Sequence, residues 1–213
     1  AGIPAAQESR GLGDVYKRQH KKQENYKGLH MRLKIAPLAI TALFVYSCSG
    51  INIVAESEIN KIGETGVTGT AIFINENNKL RVVVEIKGMQ NKTHAVHIHE
   101  IGECGDEGRA AAGHWNPTKE NHGRWGINEH HSGDIGNINT DSSGYGKITV
   151  VDISNRWSIG GSKNTNVIGR SIIVHANTDD GTSQPTGNAG GRVGCGAVSY
   201  THLRAHETPE HRV

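Results

Sequence analysis

"VTGTAIFIN", Val67–Asn75, runs through Glu76-Asn77-Asn78 into "KLRVVVEIKGM", Lys79–Met89. Apolar and polar residues alternate on both sides of the Asn-rich step, and a period of two belongs to strands with one face buried. The pair of asparagines marks a tight turn between them.

Further strands follow the same logic outward from that pair. "THAVHIH", "GDIGNINTD", "GYGKITVVDI", "RSIIVHAN" and "RVGCGAV" are short, β-branched runs, and another strand is expected near Ile51–Ser57. No helix is credible. Two polar, glycine-rich stretches interrupt the strands: Glu100–His131, too long for an ordinary connection, and "TDDGTSQPTGNAGG" after the His175 run. Loops of that length are usually functional. Composition agrees, since 28 glycines and only 5% aromatic residues suit many turns and little helix. Seven or eight such strands make an antiparallel sandwich or barrel.

The ends are different in kind. Residues 1–47 carry eight Lys or Arg against three Asp or Glu, a balance of +5. Residues 48–198 carry 13 against 16, or −3, so the basic total says nothing about nucleic acid, and none is expected as a partner. Residues 1–30 have no apolar period and read as a non-native leader. Residues 199–213 read as a non-native tail, "GLGDVYKRQ" and "SYTHLRAHETPE" having the look of translated adapter sequence. No apolar run reaches the roughly 18 residues that span a bilayer. Met31-Arg32-Leu33-Lys34 followed by an apolar stretch from Ile35 to Val45 reads as a signal peptide over 31–47. Cys48 follows Ser47 as in bacterial lipoprotein signals, so lipidation at Cys48 is expected. That places residues 48–198 outside the cytoplasm, in the periplasm or on the outer membrane. Cys104 and Cys195 remain, 91 positions apart, in a compartment that allows a disulfide; two buried free thiols are the alternative.

"HAVHIHEIGECGD", His94–Asp106, carries the chemistry. On a strand, Val96 and Ile98 share one face while His97 and His99 share the other, so the apolar pair can enter the core and the imidazoles can face an ion. His94 has the parity of Val96 and is not counted as a ligand. In the long loop His114 and His122 lie eight apart, and His131 precedes Asp134 by three. Three imidazoles and a carboxylate suit tetrahedral zinc. His175, with the parity of Ile173, adds a ligand too many for one metal. The spacing from His97 to Glu103 also resembles the first motif of the cupins, but Gly190 stands where their later histidine belongs.

Together "HAVHIHEIGEC", "AAAGHWNP", "HHSGDIGN", "GRSIIVHANTDD" and "PTGNAGGRVGCG" resemble the copper/zinc superoxide dismutases, in their exported bacterial form, over Ile51–Val198. The resemblance implies an all-β, eight-stranded antiparallel Greek-key barrel or sandwich with two long functional loops. It implies copper on His97, His99, His114 and His175, and zinc on His114, His122, His131 and Asp134. His114 is then the bridge that takes up and returns a proton. Asp179 ties ligands of both metals together, Arg192 lines the entrance for superoxide, and Cys104 bridges to Cys195. The H-x-G-D pattern selects His131 and leaves His130 a solvated loop residue. Rival functions are a cupin-like metal protein, a non-catalytic copper or zinc carrier, and a zinc hydrolase; the last needs an open zinc position that four protein ligands close. A homodimer is compatible with the sequence.

Overall fold

The computed structural model describes residues 52–201, apart from Thr65 and Asn128. Residues 1–30, the Met31–Ser47 segment, Cys48 and residues 202–213 lie outside the described residues. Nine strands follow in order: β1 (Ile53–Lys61), β2 (Thr68–Glu76), β3 (Lys79–Lys87), β4 (Thr93–His99), β5 (Asp134–Asn139), β6 (Tyr145–Val151), β7 (Ser171–His175), β8 (Arg192–Ala197) and β9 (Ser199–Tyr200). Among the described residues one 3-10 turn, Arg109–Ala111, is the only helical element.

The hairpin of β2 and β3 forms as expected. Glu76 pairs with Lys79, and the two residues between them, Asn77 and Asn78, have φ of 52° and 60°. Both are left-handed, the requirement of a type I′ turn, and asparagine tolerates that region better than most residues.

Hydrogen bonding runs β5-β4-β7-β8-β1-β2-β3-β6, with every pair antiparallel. β1 is the seam: most of it pairs with β2, while Asn60 and Lys61 pair with Cys195 and Gly194 of β8. The β3–β4 and β6–β7 connections cross between the two halves, which is Greek-key topology. The outer strands β5 and β6 meet at the Thr140–Gly146 bridge, so the eight-stranded barrel is nearly closed. β9 lies beyond the eight expected strands and pairs Ser199 and Tyr200 with Glu56 and Ala55.

Alternation fills the barrel. Ala55 and Ile59 of β1 point inward between exposed Glu56, Glu58 and Asn60. They join Phe73, Val82, Val84, Ile86, Val96, Ile98, Ile172, Val174 and Trp157 in one buried cluster. Each large apolar side chain among them contributes about 1.5–3 kcal/mol by leaving water. β4 and β7 are buried on both faces because the long loops fold back over their outer side. There Ile173 packs against Ala111 and Cys195, and Cys104 is disulfide-bonded to Cys195, pinning the first loop to β8.

Candidate metal centre

β4 and β7 lie side by side with His97 opposite Ile173 and His99 opposite Ser171. Parity sends Val96 and Ile98 into the core and turns His97 and His99 to the outer face, where His175 ends β7. The first loop returns along this face, placing His114 next to His99 in a short bridge, with its ring centroid 3.8 Å from that of His97 and the two rings tilted by 34°. One donor atom from each of His97, His99, His114 and His175 lies within 4.8 Å of the others, and the same holds for His114, His122, His131 and Asp134. All seven residues are buried. His114 belongs to both groups.

Four of the six rings are aimed by a bond at the nitrogen turned away from the group, as metal ligands generally are. His99 Nδ1 donates to the Ala112 carbonyl at 2.9 Å and His175 Nδ1 to the Gly190 carbonyl at 3.2 Å, leaving their Nε2 atoms 3.3 Å apart. Asp179 takes the others: its Oδ2 is 2.8 Å from His97 Nε2 and its Oδ1 is 2.9 Å from His122 Nε2. His97 Nδ1 and His114 Nε2 are buried with no hydrogen-bond partner among the described residues, and His122 Nδ1 and His131 Nδ1 face only Asp134, at 3.0 and 3.2 Å. Such an atom costs about 1–3 kcal/mol when left unsatisfied. One cation in each group would satisfy these atoms, so the donor set fits a pair of metal ions. Asp134 completes the second group with Oδ1 2.9 Å from His114 Nδ1, while its Oδ2 also accepts the backbone N–H groups of Gly123 and His131.

Electrostatics prepare three of these rings. Burial, reinforced by neighbouring His97, lowers the His114 pKa to about 4. Burial also holds His99 and His175 well below the ordinary histidine range, so these rings are neutral at pH 7, the state a metal requires. His122 goes the other way: burial opposes its charge, but Asp134 and Asp179 prevail and raise it to about 9.

One glycine and one arginine shape the surroundings. Gly187 sits at φ +65°, and a Cβ there would overlap the Asp179 carboxylate and the His122 ring, so only glycine lets the second loop close over that pair. Arg192 donates to the carbonyls of Gly108 and, at 2.5 Å, of Ala112, the same oxygen that receives His99 Nδ1. It therefore braces the first loop against β8 at the edge of the four-histidine group. Its charge reaches His99 and His175, contributing to the lowering of both.

His94 stays out of both groups and bonds through Nδ1 to the His175 carbonyl at 2.8 Å. His130 departs from the expectation of a solvated residue: it is 4% exposed and packed edge-on against Trp125, with ring centroids 5.0 Å apart. Trp125 in turn stacks on Trp157, which extends the core under this loop. Residues with no sequence signal also serve the site. Asn137 grips the backbone of Asp179 with both halves of its amide, at 2.8 and 2.9 Å. Arg170, almost buried, lies over the Trp115 ring at 4.5 Å and bonds the Glu100 carbonyl and carboxylate, fixing the residues that follow His99 and His114.

The profile of the family described as copper/zinc superoxide dismutase matches residues 67–198. A superoxide dismutase [Cu-Zn] of Paramecium bursaria Chlorella virus 1 is 36% identical over 159 residues, covering 71% of this chain and 83% of the relative. The extracellular superoxide dismutase [Cu-Zn] of Caenorhabditis elegans is 37% identical over 163 residues, covering 72% and 70%. Among solved structures the clock protein EA4 superposes with a TM-score of 0.61 at 30% identity, covering 70% of this chain and 96% of its own.

Proposed function

The chain belongs to the copper/zinc superoxide dismutase family, and from that membership we propose how its residues disproportionate superoxide into dioxygen and hydrogen peroxide. One observation carries the assignment: a single buried ring, His114, is common to a group of four imidazoles and a group of three imidazoles and one carboxylate. The all-nitrogen group, His97, His99, His114 and His175, suits copper in both valences. The mixed group, His114, His122, His131 and Asp134, suits a closed zinc site. Bound copper supplies the one-electron redox cycle, and zinc supplies charge without changing valence.

The protein's own groups position and supply the rest. His114 Nε2 is the nitrogen free to hold a proton and give it up to the peroxide product, while Nδ1 stays beside Asp134. Asp179 keeps His97 and His122 aimed from behind. Arg192 is the cation at the edge of a domain of net charge −3, a favourable final attraction for a small anion. Superoxide dismutases are themselves an established example of electrostatic steering, and Arg192 is its local element here. Elemental analysis of the purified 48–198 chain should give one copper and one zinc, with superoxide consumption in the same sample. Loss of both activity and copper on His97→Ala, with zinc retained, checks the partition; copper retained in that variant would refute it.

We also infer that the domain works outside the cytoplasm, as a lipoprotein anchored through Cys48 in the periplasm or on the outer membrane. The disulfide and the extracellular relative support export; the cationic start at Met31 and the apolar run to Val45 support the signal. Cys48→Ala should move the protein from the membrane fraction to the soluble fraction, and an unchanged distribution would refute anchoring at that residue.

A further inference from the structure

We propose that Gln184 is a positioning residue for the zinc subsite, acting through the backbone of His122. The His122 N–H donates to Gln184 Oε1 at 2.8 Å, and Gln184 Nε2 donates back to the His122 carbonyl at 2.9 Å. This reciprocal pair has the pattern of two residues facing each other in an antiparallel ladder, with a side-chain amide standing in for one strand.

The segment needs such a substitute. His122 lies between β4 and β5, in a stretch with no strand or helix, and among the described residues 120–123 form no backbone-to-backbone hydrogen bond. Asn116 closes the preceding turn on Glu120, and Gly123 reaches Asp134. Between those anchors, among the described residues, only Gln184 holds the main chain at His122. The ring itself is held at Nε2 by Asp179, which stands five residues before Gln184 in the same loop. One loop thus fixes the histidine twice, at its ring and at its main chain. With the main chain free, the ring could swing about the Asp179 contact and its Nδ1 would leave Asp134, 3.0 Å away. Gln184 is itself exposed and belongs to neither buried cluster, so its removal takes little from the core.

The proposal rests on zinc being held by His114, His122, His131 and Asp134. Its test uses the full chain with copper bound and either zinc or Co²⁺ at that subsite. Release to a chromogenic chelator and the visible absorption of Co²⁺ are read for wild type, Gln184→Ala and Gln184→Glu. Residues that orient ligands typically alter metal affinity about 10- to 100-fold. Gln184→Ala is expected to release the ion at least about tenfold faster and to alter the Co²⁺ absorption, while copper release stays within about twofold. Gln184→Glu is expected to fall between, since a carboxylate accepts the His122 N–H but has nothing to donate to its carbonyl. Zinc release at the wild-type rate in both variants would overturn the positioning role alone. Equal loosening of both metals, with a matching fall in the melting temperature of the metal-free variants, would overturn it too, because that is what general loop damage produces. A wild-type chain that takes up copper but no zinc would overturn the zinc assignment and this inference with it.

Discussion

Substituting Gly187 by alanine tests whether the second loop is built around the Asp179 bridge. Two costs add. The backbone at φ +65° is left-handed, which costs a residue with a Cβ about 1 kcal/mol. The new methyl would also occupy the space of the Asp179 carboxylate and the His122 ring, so the carboxylate must retreat from His97, His122 or both. Losing one hydrogen bond to a charged group costs about 2 kcal/mol. The sum, about 3 kcal/mol, is roughly two powers of ten in the folding equilibrium. For a domain of this size it amounts to about 6–12 °C in melting temperature. The assay is thermal unfolding of the metal-free, disulfide-intact protein followed by circular dichroism. Gly191→Ala is the control, because a Cβ there meets nothing within 4 Å. A Gly187→Ala shift no larger than that of Gly191→Ala would refute the argument.

Arg192→Ala should lower turnover and flatten its dependence on ionic strength while both metals stay bound; kinetics like those of wild type would remove Arg192 from the path of the substrate. The raised His122 pKa predicts a pH effect of definite sign. Its folded value of about 9 lies above an unfolded value of about 6.5, so its contribution to the metal-free protein is complete below pH 6.5 and fades as pH rises through 9. That proton must leave before the ring can bind zinc. Calorimetric zinc titration at pH 7.5 in buffers of different ionisation enthalpy should therefore show proton release, and heats independent of buffer would contradict it. Cys104→Ser opens a cross-link between residues 91 apart, which in chain-entropy terms is worth at most about 4–5 kcal/mol. Denaturant unfolding of the metal-free variant should show a loss of that order or less, and an unchanged midpoint would mean that the cross-link does not stabilise the fold.

What was legible in the sequence has a local physical cause. The Asn77-Asn78 turn, the β4 span and the division of Val96 and Ile98 from His97 and His99 all follow from period-two geometry over a few residues. The grouping of His114 with His175 did not come from parity at all; it came from resemblance, since nothing local reports a contact between residues so far apart. His130 shows the limit clearly. Its neighbours are polar and its loop has no period, yet Trp125 and Trp157 form an apolar shelf that buries it. Asn137, Arg170 and Gln184 escaped for the same reason: each acts on a main-chain group remote in sequence, and no residue type announces that. β9 is absent from the expected strands because Ser199 and Tyr200 fall in the stretch read as a non-native tail; they take their strand geometry from β1.

The position of β1 at the seam has a consequence for how the protein matures. Its last residues wait for a partner in β8, far along the chain, and Cys104 waits for the same stretch. Neither the cylinder nor its cross-link can close until β8 is in place, so one short strand completes both at once.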